Sequence, residues 1–226
     1  MELDELKRLL EIDARGILSR RVEPLGTEYE IVLHELRLYK RLIIANREIT
    51  LPGLERNTEL IMKVLAEFKS KEKRNVMPIQ FAKTDDIVIQ PLRPGHFDLE
   101  TFATSVSIPA GQNYATFHVI PQGASGNFNV SDKQIYVITD FIELTPEPAV
   151  TAIQVKNIDG VSQYPLEARL AFQATDMQIF ELPHPVIADS TLDIDGRVEG
   201  EAGSTVDVNL VPIGVWIGYG KDVPSL

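Results

Sequence analysis

Residues 189–219 constrain the fold of this chain more than any other stretch. Leu192, Ile194 and Val198 alternate with Thr191, Asp193, Asp195 and Arg197. A turn at Gly200, Glu201, Ala202, Gly203 and Ser204 follows, and Val206, Val208 and Leu210 then alternate with Asp207 and Asn209. Successive side chains of an extended chain point to opposite faces, so a period of two marks a strand with one buried and one wet face. The pattern predicts two strands joined by a glycine turn, a hairpin that closes a β-sandwich. The second strand then changes phase. After Val211 and Pro212 the apolar positions are Ile213, Val215 and Ile217, with Trp216 opposite. Proline cannot donate to a ladder, so a slip there predicts a bulge. Ile213 to Tyr219 are expected to touch another module or another copy.

The same alternation runs from about residue 101. Val106 and Ile108, Phe117 and Val119, Phe128 and Val130, Ile153 and Val155, and Ala168, Leu170 and Phe172 each alternate with polar neighbours, and residues 177–182 form a further strand. Turn residues recur about every 8–15 positions, the spacing of a sandwich or barrel. One stretch breaks the rule. Across 134–144, Ile135, Val137 and Phe141 occupy one face and Tyr136, Ile138, Ile142 and Leu144 the other. A strand apolar on both faces must be covered on both. One cover is the sandwich core; the other is the helical module, a long loop or a neighbouring subunit.

The N-terminal third is patterned differently. Leu3, Leu6, Leu10 and Ile17 follow helical spacing over residues 2–21, ended by Pro24 and Gly26. Thr27 and Glu30 suit a capping box for a second helix to about Arg47, with Tyr29, Val32, Leu36, Tyr39 and Ile43 as its stripe. Leu54, Ile61, Val64, Leu65 and Phe68 define a third helical pattern that ends in the basic run from Lys69 to Arg74. The stripes pack within one chain or between copies. Charge follows the same division. Residues 1–75 carry 15 Lys and Arg against 14 Asp and Glu, and residues 76–226 carry 7 against 19. Such a break marks a change of module, and the acidic part repels nucleic acid. The expected organisation is a helical attachment or oligomerisation module over 1–74, an extended connector over 75–100 contributing one strand at Ile87, Val88 and Ile89, and a β-sandwich over 101–226.

The chain has 226 residues, enough to bury about 70 % of its unfolded surface without a metal or disulfide. It has no cysteine, which removes thiol nucleophiles and thiolate metal sites. It has no run of about 18 apolar residues and no apolar signal-peptide core near residue 1, so synthesis in the cytoplasm is expected.

Candidate chemistry is sparse. His34, His96, His118 and His184 lack the paired spacing of a metal site. Thr191 to Gly196 approximates a calcium loop, but Thr191 and Ala202 stand where acids are needed, so a solvent-facing acidic strand is the preferred reading. Ser125 between Gly123 and Gly126 lacks the strand–turn–helix of a nucleophile elbow. No catalytic residue, cofactor or metal is assigned. Trp216 is read as a packing residue of a sheet face.

Residues 108–111 (Ile-Pro-Ala-Gly), 133–140 (Lys-Gln-Ile-Tyr-Val-Ile-Thr-Asp) and 191–217 resemble the jelly-roll domains of viral and phage structural proteins. The resemblance covers roughly residues 100–220. It implies an α+β chain with a jelly-roll-like sandwich, and a non-catalytic virion component such as a spike, fibre-base, decoration or capsid-associated protein. It also implies a symmetric oligomer anchored to the particle, and to its other structural proteins, by an N-terminal segment. The expected contact residues are Leu3, Leu6, Leu10, Val32, Leu36, Ile43, Tyr136, Ile138, Ile142, Ile213, Val215 and Trp216. A carbohydrate- or receptor-binding module and a glycan hydrolase remain the alternatives.

Overall fold

A computed structural model describes residue 33, 41–44, 47–78, 81–123, 126–158, 165–167 and 179–224. In chain order the elements are β1 (Arg41–Ile44), β2 (Arg47–Thr50), α1 (Pro52–Arg56), α2 (Thr58–Glu72), β3 (Ile87–Pro91), β4 (Ala103–Ser107), β5 (Tyr114–Ile120), β6 (Phe128–Asn129), β7 (Ile135–Glu143), β8 (Val150–Ile158), β9 (Pro165–Glu167), β10 (Ile179–Ala188), β11 (Thr191–Glu199) and β12 (Thr205–Tyr219). The chain is α+β. No described helix is long and apolar enough to cross a membrane.

The strand pairs among the described residues are antiparallel, and their order identifies the architecture. β4 pairs with β12, β5 with β11, β7 with β10 and β8 with β9. These nested pairs are a long antiparallel ribbon rolled up. The β12–β7 and β11–β8 pairings then join its turns into two sheets, β10-β7-β12 with β4 and β5-β11-β8-β9. Eight strands wound this way form a jelly roll. β3 extends the first sheet beside residues 215–219, and β6 adds a short rung to β11.

This winding corrects the hairpin expected at 189–219. β11 and β12 are strands, and Gly203 takes a positive φ of 79° in the turn between them. They lie in opposite sheets, however, and the turn is a crossing between layers. Alternation sets which face of a strand is buried but does not name its partner.

The phase change near Pro212 also has a different origin. Along β12, Val208, Leu210 and Trp216 face the interior of the roll, while Ile213, Val215, Ile217 and Tyr219 face a second apolar cluster built around α2. The even positions point inward along the whole strand, so β12 does not slip. Its odd positions are polar at Thr205, Asp207 and Asn209 and become apolar where they pass beneath the helix. The bulge is on β7. Ile213 pairs with Asp140 and Gly214 with Ile138, leaving Thr139 as the extra residue. It regroups the two faces: Phe141 joins Tyr136 and Ile138 in the interior, and Ile142 joins Val137 beneath α2. Pro212 lies opposite Phe141 and between the stretches of β12 that β4 and β3 pair, so no ladder bond on that side is lost.

α2 covers the outer face of the first sheet. Ile61, Met62, Val64, Leu65 and Phe68 follow helical spacing and are buried against Val137, Ile142, Ile213, Val215 and Ile217. Each such side chain contributes about 1.5–3 kcal/mol on burial. The helix ends at Lys73, whose left-handed φ of 54° lets its N–H reach the Lys69 carbonyl, and Lys69 and Lys71 complement the last turn. Tyr219 Oη donates to Glu72 Oε2 at 2.6 Å and ties this end to β12.

The helix expected to reach Arg47 is corrected over its last residues. Residues 41–44 and 47–50 pair as a β-hairpin in the register Arg41 with Thr50 and Ile44 with Arg47. Ile43, Ile44, Ile49 and Thr50 are β-branched, and side chains of this type favour strands. The helix expected at 2–21, and the strand at 168–172, lie outside the described residues.

Candidate functional site

Two polar constellations stand out from the apolar framework. The first fastens the helices to the roll. The Thr139 bulge aims Asp140 at the N-terminus of α1, where Gly53 N–H donates to Oδ1 at 2.9 Å and Leu54 N–H to Oδ2 at 3.1 Å. Thr139 Oγ1 donates to Oδ2 at 2.7 Å. The carboxylate is fully buried. Burial raises its pKa, opposed by the bonds from Thr139, Gly53 and Leu54. A Cβ on Gly53 would fall 2.5 Å from the Asp140 oxygens, so glycine is needed for this approach. Glu143 does similar work at the other end of β7. Its carboxylate accepts from Ala149 N–H at 2.8 Å and Val150 N–H at 3.2 Å, closing the crossing from β7 to β8, and burial again raises its pKa.

The second constellation lies on the outer face of β5-β11-β8. Asp193 and Asp195 project from β11 on the face opposite Leu192 and Ile194, which fill the interior. His118 Nδ1 lies 2.7 Å from Asp195 Oδ1; with the carboxylate ionised, the ring N–H donates. Lys156 Nζ is 3.2 Å from Asp195 Oδ2 and 3.7 Å from Asp193 Oδ2. Asp193 is buried, and its Oδ1 has no hydrogen-bond partner. Desolvation raises its pKa, and the Lys156 charge opposes the rise; Lys156 is itself raised, chiefly by its bond to Asp195. His118, Asp193 and Asp195 each offer a ligand atom within 4.8 Å of the others.

Two bulges crowd these groups together. Ile194 pairs with Ile120 and Asp195 with His118, which leaves Val119 extra on β5. On the other side Asp193 pairs with Asn157 and Ile194 with Val155, which leaves Lys156 extra on β8. The sequence singled out Asp193 and Asp195 as a failed calcium loop and placed His118 on a polar strand face, without connecting them. The missing link was strand pairing: β11 pairs with β5 across 77 residues between His118 and Asp195.

The expected contact residues fall into four groups. Tyr136, Ile138 and Trp216 are in the roll interior, where Trp216 stacks on His96 at 5.0 Å. Ile142, Ile213 and Val215 are between the first sheet and α2. Ile43 lies on β1 opposite Glu48, while Leu3, Leu6, Leu10, Val32 and Leu36 lie outside the described residues, as does Ser125. Tyr114 is at the surface with Arg197 stacked 4.3 Å from its ring centroid.

Neither a family model nor a curated protein matches the sequence. Among solved structures the chain weakly resembles the VP2 subviral particle of infectious bursal disease virus, at 10% identity and a TM-score of 0.33, over 61% of this chain and 34% of that one. T=1 particles derived from the same virus give 12% identity and a TM-score of 0.31, over 63% of this chain and 34% of that one. The chain spans about a third of the length of the viral chains it resembles.

Proposed function

We propose that this chain is a non-catalytic structural protein of a virus particle, made in the host cytoplasm and assembled into the virion as a symmetric oligomer. The observation that carries this reading is the filled interior of the roll. Trp216, Tyr136, Phe97, Phe141 and the inward aliphatic side chains occupy the space between the sheets. Jelly rolls serve as capsid and lectin domains and as cupins, and a cupin needs a chamber where this roll has a packed core. A roll filled in this way works through its outer faces, edges and loops, which is how a building block works. In this reading the part of residues 1–74 that precedes α1 attaches the roll to its copies or to other particle proteins, through Leu3, Leu6, Leu10, Val32 and Leu36.

Native mass measurement of the full chain tests the proposal. A single symmetric oligomer is expected at micromolar concentration, and replacing Leu3, Leu6 and Leu10 together by Glu should reduce it to smaller species with an unchanged circular dichroism spectrum. A strictly monomeric wild-type chain overturns the proposal.

A further inference from the structure

We propose that His118, Asp193 and Asp195 form a binding site for a divalent transition-metal cation of the zinc class, and that Lys156 stands in for the cation when no metal is bound. One imidazole and two carboxylates make a mixed nitrogen and oxygen donor set that suits zinc better than calcium or magnesium, which favour all-oxygen sites. The three ligand atoms already lie within 4.8 Å of one another.

Independent features of the framework point the same way. Asp193 has a side chain only 8% exposed, and its Oδ1 has no partner although it is a carboxylate oxygen. Burying such an oxygen without a donor is costly, and a cation removes that cost. Lys156 does not satisfy it: at 3.7 Å from Oδ2 its ammonium lies beyond hydrogen-bond reach of Asp193. The surrounding strands are also adapted to the cluster. Bulges on both neighbours of β11, at Val119 and Lys156, flank the same residue, Ile194. Bulges re-aim side chains and are frequent beside functional sites.

The exchange balances in charge. Two carboxylates neutralise a dication, and Lys156, whose side chain is 40% exposed, can swing its ammonium into water. His118 ligates as the neutral imidazole; if Nδ1 is the ligand atom, the ring takes the tautomer that carries its proton on Nε2. The bound ion would pin β5 to β11 through side chains, in addition to their backbone ladder.

Isothermal titration of the untagged full chain with zinc chloride at neutral pH tests the site, together with thermal melts with and without the metal. One saturable site and a rise in melting midpoint are expected. Asp193→Asn and His118→Asn should each weaken binding at least about tenfold, in line with the loss of one of three ligands. Both variants should keep the far-ultraviolet spectrum and the Trp216 emission of the wild type. Lys156→Met removes the competing ammonium and should tighten binding by about tenfold. This gain cannot be produced by misfolding. The proposal is overturned if the wild type shows no saturable zinc binding, if the Asn variants bind as the wild type does, or if Lys156→Met binds no more tightly.

Discussion

Acidification should destabilise this protein through one histidine. His96 lies in the 3₁₀ turn Pro94–Phe97, is 4% exposed, and stacks on Trp216. Its Nδ1 accepts the Arg93 N–H at 3.0 Å, and Nε2 is buried without a partner. The ring is therefore held neutral. Burial first, and the Arg93 charge second, lower its pKa from 6.5 to about 4. The unfolded chain takes up a proton near pH 6.5 and the folded chain only near pH 4, so between these values the unfolded state binds more protons. Stability is fully present above pH 6.5 and falls as the pH drops towards 4. At about 1.36 kcal/mol for each pH unit of displacement, the loss is about 2 kcal/mol at pH 5 and about 3 kcal/mol once both states are protonated. Asp140 and Glu143 act with the opposite sign. Their raised pKa values contribute stability in acid that is lost as the pH climbs from the ordinary carboxylate range through the raised values. A difference measurement isolates His96. Urea unfolding of the wild type and of His96→Asn, followed by Trp216 fluorescence from pH 7.5 to about 4.5, should give curves that converge as the pH falls. The Asn side chain keeps an acceptor for Arg93 N–H and cannot titrate. Parallel curves, with the same spacing at every pH, would refute the argument.

Two further substitutions probe the framework. Gly214→Ala places a Cβ 1.9 Å from the Val137 carbonyl oxygen at the β7 bulge, so it should cost about 3 kcal/mol or more, read as a lower urea midpoint or loss of folded protein. Asp140→Ala leaves the Gly53 and Leu54 N–H groups buried without an acceptor; a loss of about 2–4 kcal/mol is expected. Hydrogen exchange should then show faster opening of α1 and α2 than of β8 or β11.

The sequence revealed which residues face inward and left open what they face. The apolar run at residues 135–143 required two covers, and the structure supplies the roll interior and α2. Ile61, Val64, Leu65 and Phe68 were identifiable as one helix face because that periodicity is local, whereas Leu54, expected on the same helix, belongs to the separate helix α1. The β7 bulge was hidden because it belongs to a strand pair, and one extra residue at Thr139 moves Phe141 and Ile142 to faces opposite those that simple alternation assigns. For the same reason the change of apolar phase on β12 pointed to a slip in the wrong strand. Residues 41–50 misled differently: a run rich in leucine and isoleucine satisfies helical spacing, and only pairing of Arg41 with Thr50 distinguishes the hairpin. The ionic cluster was half visible. Asp193 and Asp195 are two apart and share a face, but His118 joins them only through the register of β5 on β11, which no local pattern encodes.

β12 pairs along its length with β4, β7 and β3, so the first sheet has one shared neighbour for three strands. It is also made after every strand it pairs with. Until residues 205–219 emerge, β3 and β4 lack the strand they pair with, and β7 lacks its central partner. Val137 and Ile142 on one side, and Tyr136, Ile138 and Phe141 on the other, then wait on an incomplete sheet. Pairing Val206 with Val106 also requires closure of a very long loop, which slows folding. The nascent chain therefore passes through an interval in which a strand apolar on both faces is open to other chains. Where many copies are synthesised close together, the order of synthesis makes correct folding depend on holding those copies apart until β12 is in place.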